Sequence, residues 1–401
     1  MTQTVRRRKV FYIPGFDPFP PRRYRELYRT EGSAQAAISG YEITQSKGAG
    51  PNDWRVRARI DDTVVETEIE VLAWSDIVAA RMARSILMTY VQMFRTAWIY
   101  LSTGALFRLM QLRKGPVIAA LYPVVVLLGQ LLLAVAAALG AAAATRAALN
   151  AIGLPGILTA PAASLLVGWG LLVLFRRWDK RIFAHYLMHD YAFSAGLRGA
   201  TPIALRARLV EFGETISAAM RSNWDEILVV GHSSGAHLAI SVLADLRRTG
   251  RADDRLALLT LGHVVPMVSF LPDADRLRAD LHLMSKAGAT PWIDVTAPGD
   301  GCSFALCDPV AVSGVAPSEQ RWPLVLSAAF TQTLSPERWV ALRRRYFRLH
   351  FQYLCAFDRP GAYDYFAITA GPQRLRDRFA GRAPSPSRLT KPVNRHTAMA
   401  A

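Results

Sequence analysis

Two charge-free runs dominate the pattern of apolar and polar positions. Residues 115–145 and 147–175 contain no Asp, Glu, Lys or Arg. Each exceeds the roughly 20 apolar residues needed to cross a bilayer as a helix. The runs predict two transmembrane helices, about 117–140 and 154–175, turning near Arg146 and Pro155-Gly156. Their many Ala and Gly residues would let the backbones pack closely. A buried helical hairpin in a soluble core is the alternative. Elsewhere the periods are those of a mixed domain. Val10–Ile13 is a short apolar strand, and Arg22–Ser39 reads as a helix. Trp54–Ile60 and Thr63–Leu72 alternate apolar with polar positions around Asp61-Asp62, a hairpin pattern. Residues 77–112 repeat at helical spacing, as do 183–194. Further on, buried-strand runs at Ile227–Val230, Leu256–Leu261 and Trp292–Thr296 alternate with helical stretches at 204–222 and 272–286. Strands alternating with crossover helices predict an α/β fold with a mostly parallel sheet. The expected organisation is an N-terminal part of that domain at 1–114, a transmembrane hairpin at 115–176, the remainder at 177–380, and a disordered, Pro-rich basic tail at 381–401.

Charge refines this picture. The chain is 51% hydrophobic yet carries a net charge of +17. Such a balance suits nucleic acid or an anionic membrane surface. The Lys and Arg residues flank the apolar runs and the termini, and no nucleic-acid motif accompanies them. The expected partner is therefore the lipid bilayer, with no nucleic acid. Arg108, Arg113 and Lys114 precede the first run, and Arg176, Arg177, Lys180 and Arg181 follow the second. The positive-inside rule then puts both outer ends in the cytoplasm, in the inner membrane if the protein is bacterial. Cys302, Cys307 and Cys355 form neither a disulfide framework nor a zinc spacing. Arg6–Lys9 leads into a strand rather than an apolar signal region, so no cleavable signal peptide is expected.

One stretch carries chemistry. Gly231-His-Ser-Ser-Gly235 follows a buried strand and opens a helix of small residues. This is the G-x-S-x-G nucleophile elbow in the strand–turn–helix setting the mechanism needs. Ser233 would project from a strained turn, and the helix N-terminus would aim the Ser234 N–H at a developing oxyanion. Over residues 9–20 and about 200–380, the chain resembles the α/β-hydrolase superfamily, and its lipase and esterase branch in particular. The resemblance implies a second oxyanion donor in the loop after an early strand, here the N–H near Phe16 in Pro14-Gly-Phe; read alone, that is a plain Pro-Gly turn. It also implies the chain order Ser, acid, His. Asp300, just past the Trp292–Thr296 strand, is the favoured acid. Asp308 in Cys-Asp-Pro-Val is its rival, and Asp294 lies inside the strand. Of the two histidines that follow, His396 is in the tail, so His350 is the expected base. His232 reads as a packing or hydrogen-bonding neighbour, His237 as helical, and His263 as a loop residue. These residues together predict a membrane-anchored serine hydrolase that cleaves an amphipathic carboxylic ester with no metal or organic cofactor. A membrane-bound acyltransferase using the same acyl-serine and a non-catalytic membrane scaffold are the alternatives.

Overall fold

The computed structural model describes residues 4–83, 85–155 and 157–400, in two compact units. The first unit comprises the described residues up to 79, 103–116 and those from 197 onward; the second comprises 80–102 and 117–196.

The first unit is built on one eight-stranded sheet. Its strands are β1 (Arg7–Ile13), β2 (Glu42–Lys47), β3 (Asp53–Ile60), β4 (Thr63–Val71), β5 (Glu226–His232), β6 (Leu256–Leu261), β7 (Trp292–Thr296) and β8 (Leu324–Ser327). Their spatial order is β2-β3-β4-β1-β5-β6-β7-β8. The β2–β3 and β3–β4 pairs are antiparallel and all the others parallel. The β3–β4 hairpin turns on Asp61 and Asp62, both at positive φ. That suits a type I′ turn, whose twist matches that of the strands. Central β1 has β4 on one side and β5 on the other, so the strand order reverses there. In open α/β sheets, ligands bind beyond the carboxyl ends of the strands at such a reversal.

Period-two burial gives the sheet two apolar faces. Val10, Tyr12, Leu228, Val230, Leu259 and Val295 share one core with Tyr24 and Tyr28 of the helix Arg22–Ser39 and with Tyr353, Phe357 and Phe366. On the other side, the helix Gly235–Arg248 packs on β1, β5 and β6, with Ile203–Met220 against it. A fully buried ion pair locks the centre. Arg8 Nε lies 2.7 Å from Glu226 Oε2, joining β1 to β5. The same guanidinium donates to the Gly371 and Gln373 carbonyls at 2.6 Å, while Glu226 Oε1 accepts the Leu375 N–H at 2.6 Å. Every charge there has a partner, as burial requires.

Two strands went unanticipated, and two expectations need correction. Strands β2 and β8 carry no clear alternation: Glu42–Lys47 is a mostly exposed edge with one apolar residue, and Leu324–Ser327 is four residues long. The helical stretch 77–112 is broken into Ser75–Met82, Ile86–Ser102 and Ala105–Leu112, the last break at Gly104 with φ of +71°. The tail is not disordered over 381–400. Its Ser385 N–H donates to the Val325 carbonyl, Leu389 pairs in both directions with Leu306 and Asp308, and Val393 donates to Val312. Arg278 Nε holds the Ala398 carbonyl at 2.7 Å. Backbone pairing supplies the order that the tail's polar composition does not announce, with the buried Val393 as an apolar anchor.

The second unit contains two helices long and apolar enough to cross a membrane, Lys114–Ala151 and Thr159–Ile182. Only 17% and 11% of their most apolar windows are buried, the reverse of a hairpin filling a soluble core. A Cβ added at Gly168 would come within 3.1 Å of Ala138 Cβ and 3.4 Å of the Ala134 carbonyl, so small residues do let these helices approach closely. The unit extends past the expected 115–176 hairpin, because Ile86–Ser102 and Ala184–Ala195 pack with it.

Candidate active site

Strand β5 ends at His232, and the chain then reverses sharply into the helix Gly235–Arg248, with Ser234 as its N-cap residue. Ser233 occupies the bend at φ +57°, in the left-handed region. That conformation costs a non-glycine residue on the order of 1 kcal/mol and persists only where the surroundings impose it. They do so here. The Ser233 N–H donates to the Leu261 carbonyl at 2.9 Å, and its carbonyl accepts from Ala236 at 3.1 Å. Both flanking glycines are required by close approach. A Cβ at Gly231 would sit 2.7 Å from Ala236 Cα; one at Gly235 would sit 2.6 Å from the Pro14 carbonyl oxygen and closer still to that of Ile13.

The loop after β1 therefore lies directly against the bend. A Cβ at Gly15 would be 3.0 Å from Ser233 Cβ and 3.4 Å from its Oγ. Phe16 is buried next to it, its ring edge-on to Trp74 with centroids 5.9 Å apart. Trp74 Nε1 donates to the Pro14 carbonyl at 2.9 Å, and Asp17 accepts the Phe19 N–H and the Tyr24 hydroxyl. These bonds hold the Phe16 backbone beside the bend.

Asp300 and His350 meet. His350 Nδ1 lies 2.7 Å from Asp300 Oδ2, and both side chains are buried. Asp300 sits in the turn leaving β7, its own N–H bonded to the Ala297 carbonyl at 2.9 Å. Its carboxylate also accepts the Tyr353 hydroxyl at 3.0 Å and the Cys302 N–H at 2.9 Å. Burial acts to raise its pKa, but His350, with the Cys302 N–H and Ser303, outweighs burial and holds it below the usual carboxylate range. With Nδ1–H given to the carboxylate, the lone pair of the neutral ring is on Nε2, which is buried without a hydrogen-bond partner. His350 also borders the end of β6: a Cβ at Gly262 would be 3.1 Å from its Cε1 and 2.6 Å from Tyr353 Cε2. Because Ser233 is hydrogen-bonded to Leu261, the residue before Gly262, the serine and the imidazole share one edge of the sheet, at the strand reversal.

Two neighbours steady the pair. Tyr353 is a hydrogen-bond donor that stays protonated: burial and then Asp300 push its pKa well above the ordinary value. Its oxygen also accepts the Ala297 N–H at 3.0 Å. Sequence reading did not single it out; its only signal is its position three residues after His350. His232 Nε2 donates to the His350 carbonyl at 3.0 Å, with ring centroids 4.8 Å apart. Burial, reinforced by His350, lowers its pKa to about 3.

A folded-state pKa below the unfolded value of about 6.5 means that folding favours the neutral ring. The stability this gives is fully present above about pH 6.5 and is lost as pH falls toward about 3. The unfolding free energy should decline over that window. A His232→Gln variant, which retains a donor, should decline less steeply; equal slopes in denaturant titrations would rule out His232 as the source.

The other candidates go elsewhere. Asp308 caps the short helix Pro309–Val312, accepting from Val310 and Ala311 at 3.0 and 3.1 Å and from Gln320 at 2.8 Å. Asp294 accepts the Thr260 hydroxyl inside the sheet at 2.6 Å, and burial raises its pKa to about 6. His263 bonds the Cys307 carbonyl, His237 lies in the elbow helix, and the His396 N–H bonds Asn394 within the docked tail. As for metals, ligand atoms of Asp300, Cys302 and His350 lie within 4.8 Å of one another. Asp300 and His350 of this group are hydrogen-bonded directly to each other.

Compared with family models, curated proteins and solved structures, the chain matches none of them. Its functional reading therefore rests on its own residues.

Proposed function

We propose that the protein is a membrane-anchored serine hydrolase of the α/β-hydrolase type that cleaves carboxylic esters. The observation that carries this reading is the buried Asp300–His350 pair, its Nε2 uncommitted, on the same sheet edge as a serine held in the left-handed conformation. In this mechanism Ser233 Oγ attacks the ester carbonyl carbon while His350 Nε2 takes the hydroxyl proton. Asp300 holds the ring and stabilises the imidazolium. The backbone N–H groups of Phe16 and Ser234 receive the oxyanion. As the tetrahedral intermediate collapses, the carbon–oxygen bond to the leaving group breaks and His350 delivers its proton to the alcohol. Water, deprotonated by the same imidazole, then attacks the acyl-serine, releasing the acid and restoring the serine. Two membrane-length helices within the same chain favour amphipathic, lipid-like esters, and the positive flanks favour a cytoplasmic catalytic unit.

The test is a fluorophosphonate probe applied to the full-length chain in membranes. Expected are covalent labelling, hydrolysis of short-chain esters, and retention in the membrane pellet after an alkaline wash. Absence of labelling in folded protein would remove the serine mechanism; release by the wash would remove the anchor.

A further inference from the structure

The helix Ile86–Ser102 has two apolar faces, and the described residues cover only one. Ile86, Tyr90 and Met93 are buried against Leu127, Ala184 and Met188. Leu87, Val91, Phe94, Trp98 and Leu101 are exposed, Trp98 by 70%. At 100° per residue these five fall within one narrow stripe along the helix. We propose that this stripe lies in the membrane interface, with lipid as its occupant. The proposal rests on the membrane-anchored reading of the chain.

Three observations select lipid. First, the covered face of Ile86–Ser102 packs chiefly on Ala184–Ala195 and also meets the membrane-length helix Thr159–Ile182, in one buried cluster with Leu127 of the other such helix, while its stripe is exposed, as are Val125, Leu132 and Leu133. The stripe thus adds to the exposed apolar surface of a unit that already presents two membrane-length helices. Second, at about 1.5 Å per residue the stripe is roughly 21 Å long, shorter than the hydrocarbon core of about 30 Å. It suits a helix lying in the plane of the membrane rather than one crossing it. Third, Trp98 and Arg95 are the residue types that settle at the headgroup boundary. Arg95 is exposed at the margin of the stripe, with its guanidinium on the Gly196 carbonyl at 2.9 Å. The helix would lie shallowly beside the spans and add an interfacial contact to the anchor.

The experiment compares wild-type, Trp98→Phe and Trp169→Phe chains, full length, in phosphatidylcholine liposomes brominated near the headgroup end or near the tail end of the acyl chains. Trp169 lies midway along the helix Thr159–Ile182 and serves as the deep reference. The expected result is that Trp98→Phe removes a component of tryptophan fluorescence quenched about twofold more by shallow than by deep bromines. Trp169→Phe should remove a deeply quenched one. If Trp98→Phe changes quenching at neither depth while Trp169→Phe does, the stripe is not on lipid and the proposal falls, with the anchor intact. If the Trp98 component is quenched mainly by deep bromines, the in-plane placement falls. If it is quenched only after dilution into excess lipid, a second copy covers the stripe and the proposal falls. If neither variant changes quenching, the anchor falls and the proposal with it.

Discussion

Ser233→Ala is expected to abolish ester hydrolysis and fluorophosphonate labelling in an otherwise folded protein. Loss of the nucleophile in a serine–histidine–acid site costs about a million-fold in kcat. The variant keeps the backbone hydrogen bonds of the bend, which come from the main chain at Leu261 and Ala236, so its melting temperature should stay close to that of the parent. Hydrolysis of a short-chain chromogenic ester, with thermal unfolding as the control, decides the matter. Near-parental turnover in Ser233→Ala, paired with an inactive Ser234→Ala, would shift the nucleophile by one residue.

The second large effect is expected at the acid. Asp300→Asn should lower kcat by roughly ten thousand-fold, because an amide cannot fix the His350 tautomer or stabilise its charged form. Asp308→Asn should leave turnover near normal and affect only the cap of Pro309–Val312, at about 1 kcal/mol of stability or less. The contrast has a geometric basis. The Asp300 carboxylate touches His350 and Tyr353, whereas the hydrogen-bond partners of the Asp308 carboxylate are Val310, Ala311 and Gln320. Turnover of purified variants of equal stability measures it, and the opposite ranking would transfer the role to Asp308.

Much of the sheet was legible because buried parallel strands are short continuous apolar runs. Leu256–Leu261 and Trp292–Thr296 have the bounds their composition suggested. The helix Arg22–Ser39 was equally clear, set between prolines and Gly40 in the left-handed conformation. The edge strand Glu42–Lys47 was not, because an edge buries too little to impose alternation. Within the candidate site, Gly231 and Gly235 announced the bend because only glycine fits there. Tyr353 was silent: a tyrosine that orients a carboxylate fifty-three positions away leaves no local spacing to detect. The docked tail was misread for a related reason, since backbone pairing with Leu306 and Val325 leaves no mark on composition.

The sheet order also dictates a timetable for biosynthesis. Strands β1 to β4 leave the ribosome before either membrane-length helix, and β5, the partner of β1, follows both. At synthesis rates of about 5–20 residues per second, the nascent β1 waits on the order of 10 s for that partner. Throughout that interval its hydrogen-bonding edge stands open, and Arg8 lacks the carboxylate that will neutralise it at position 226. Basic side chains at Arg6, Arg7, Arg8 and Lys9 discourage edge-to-edge association of such a strand. The eight-stranded sheet thus closes only after the two membrane-length helices have been made, which ties completion of β5 to prior handling of those helices.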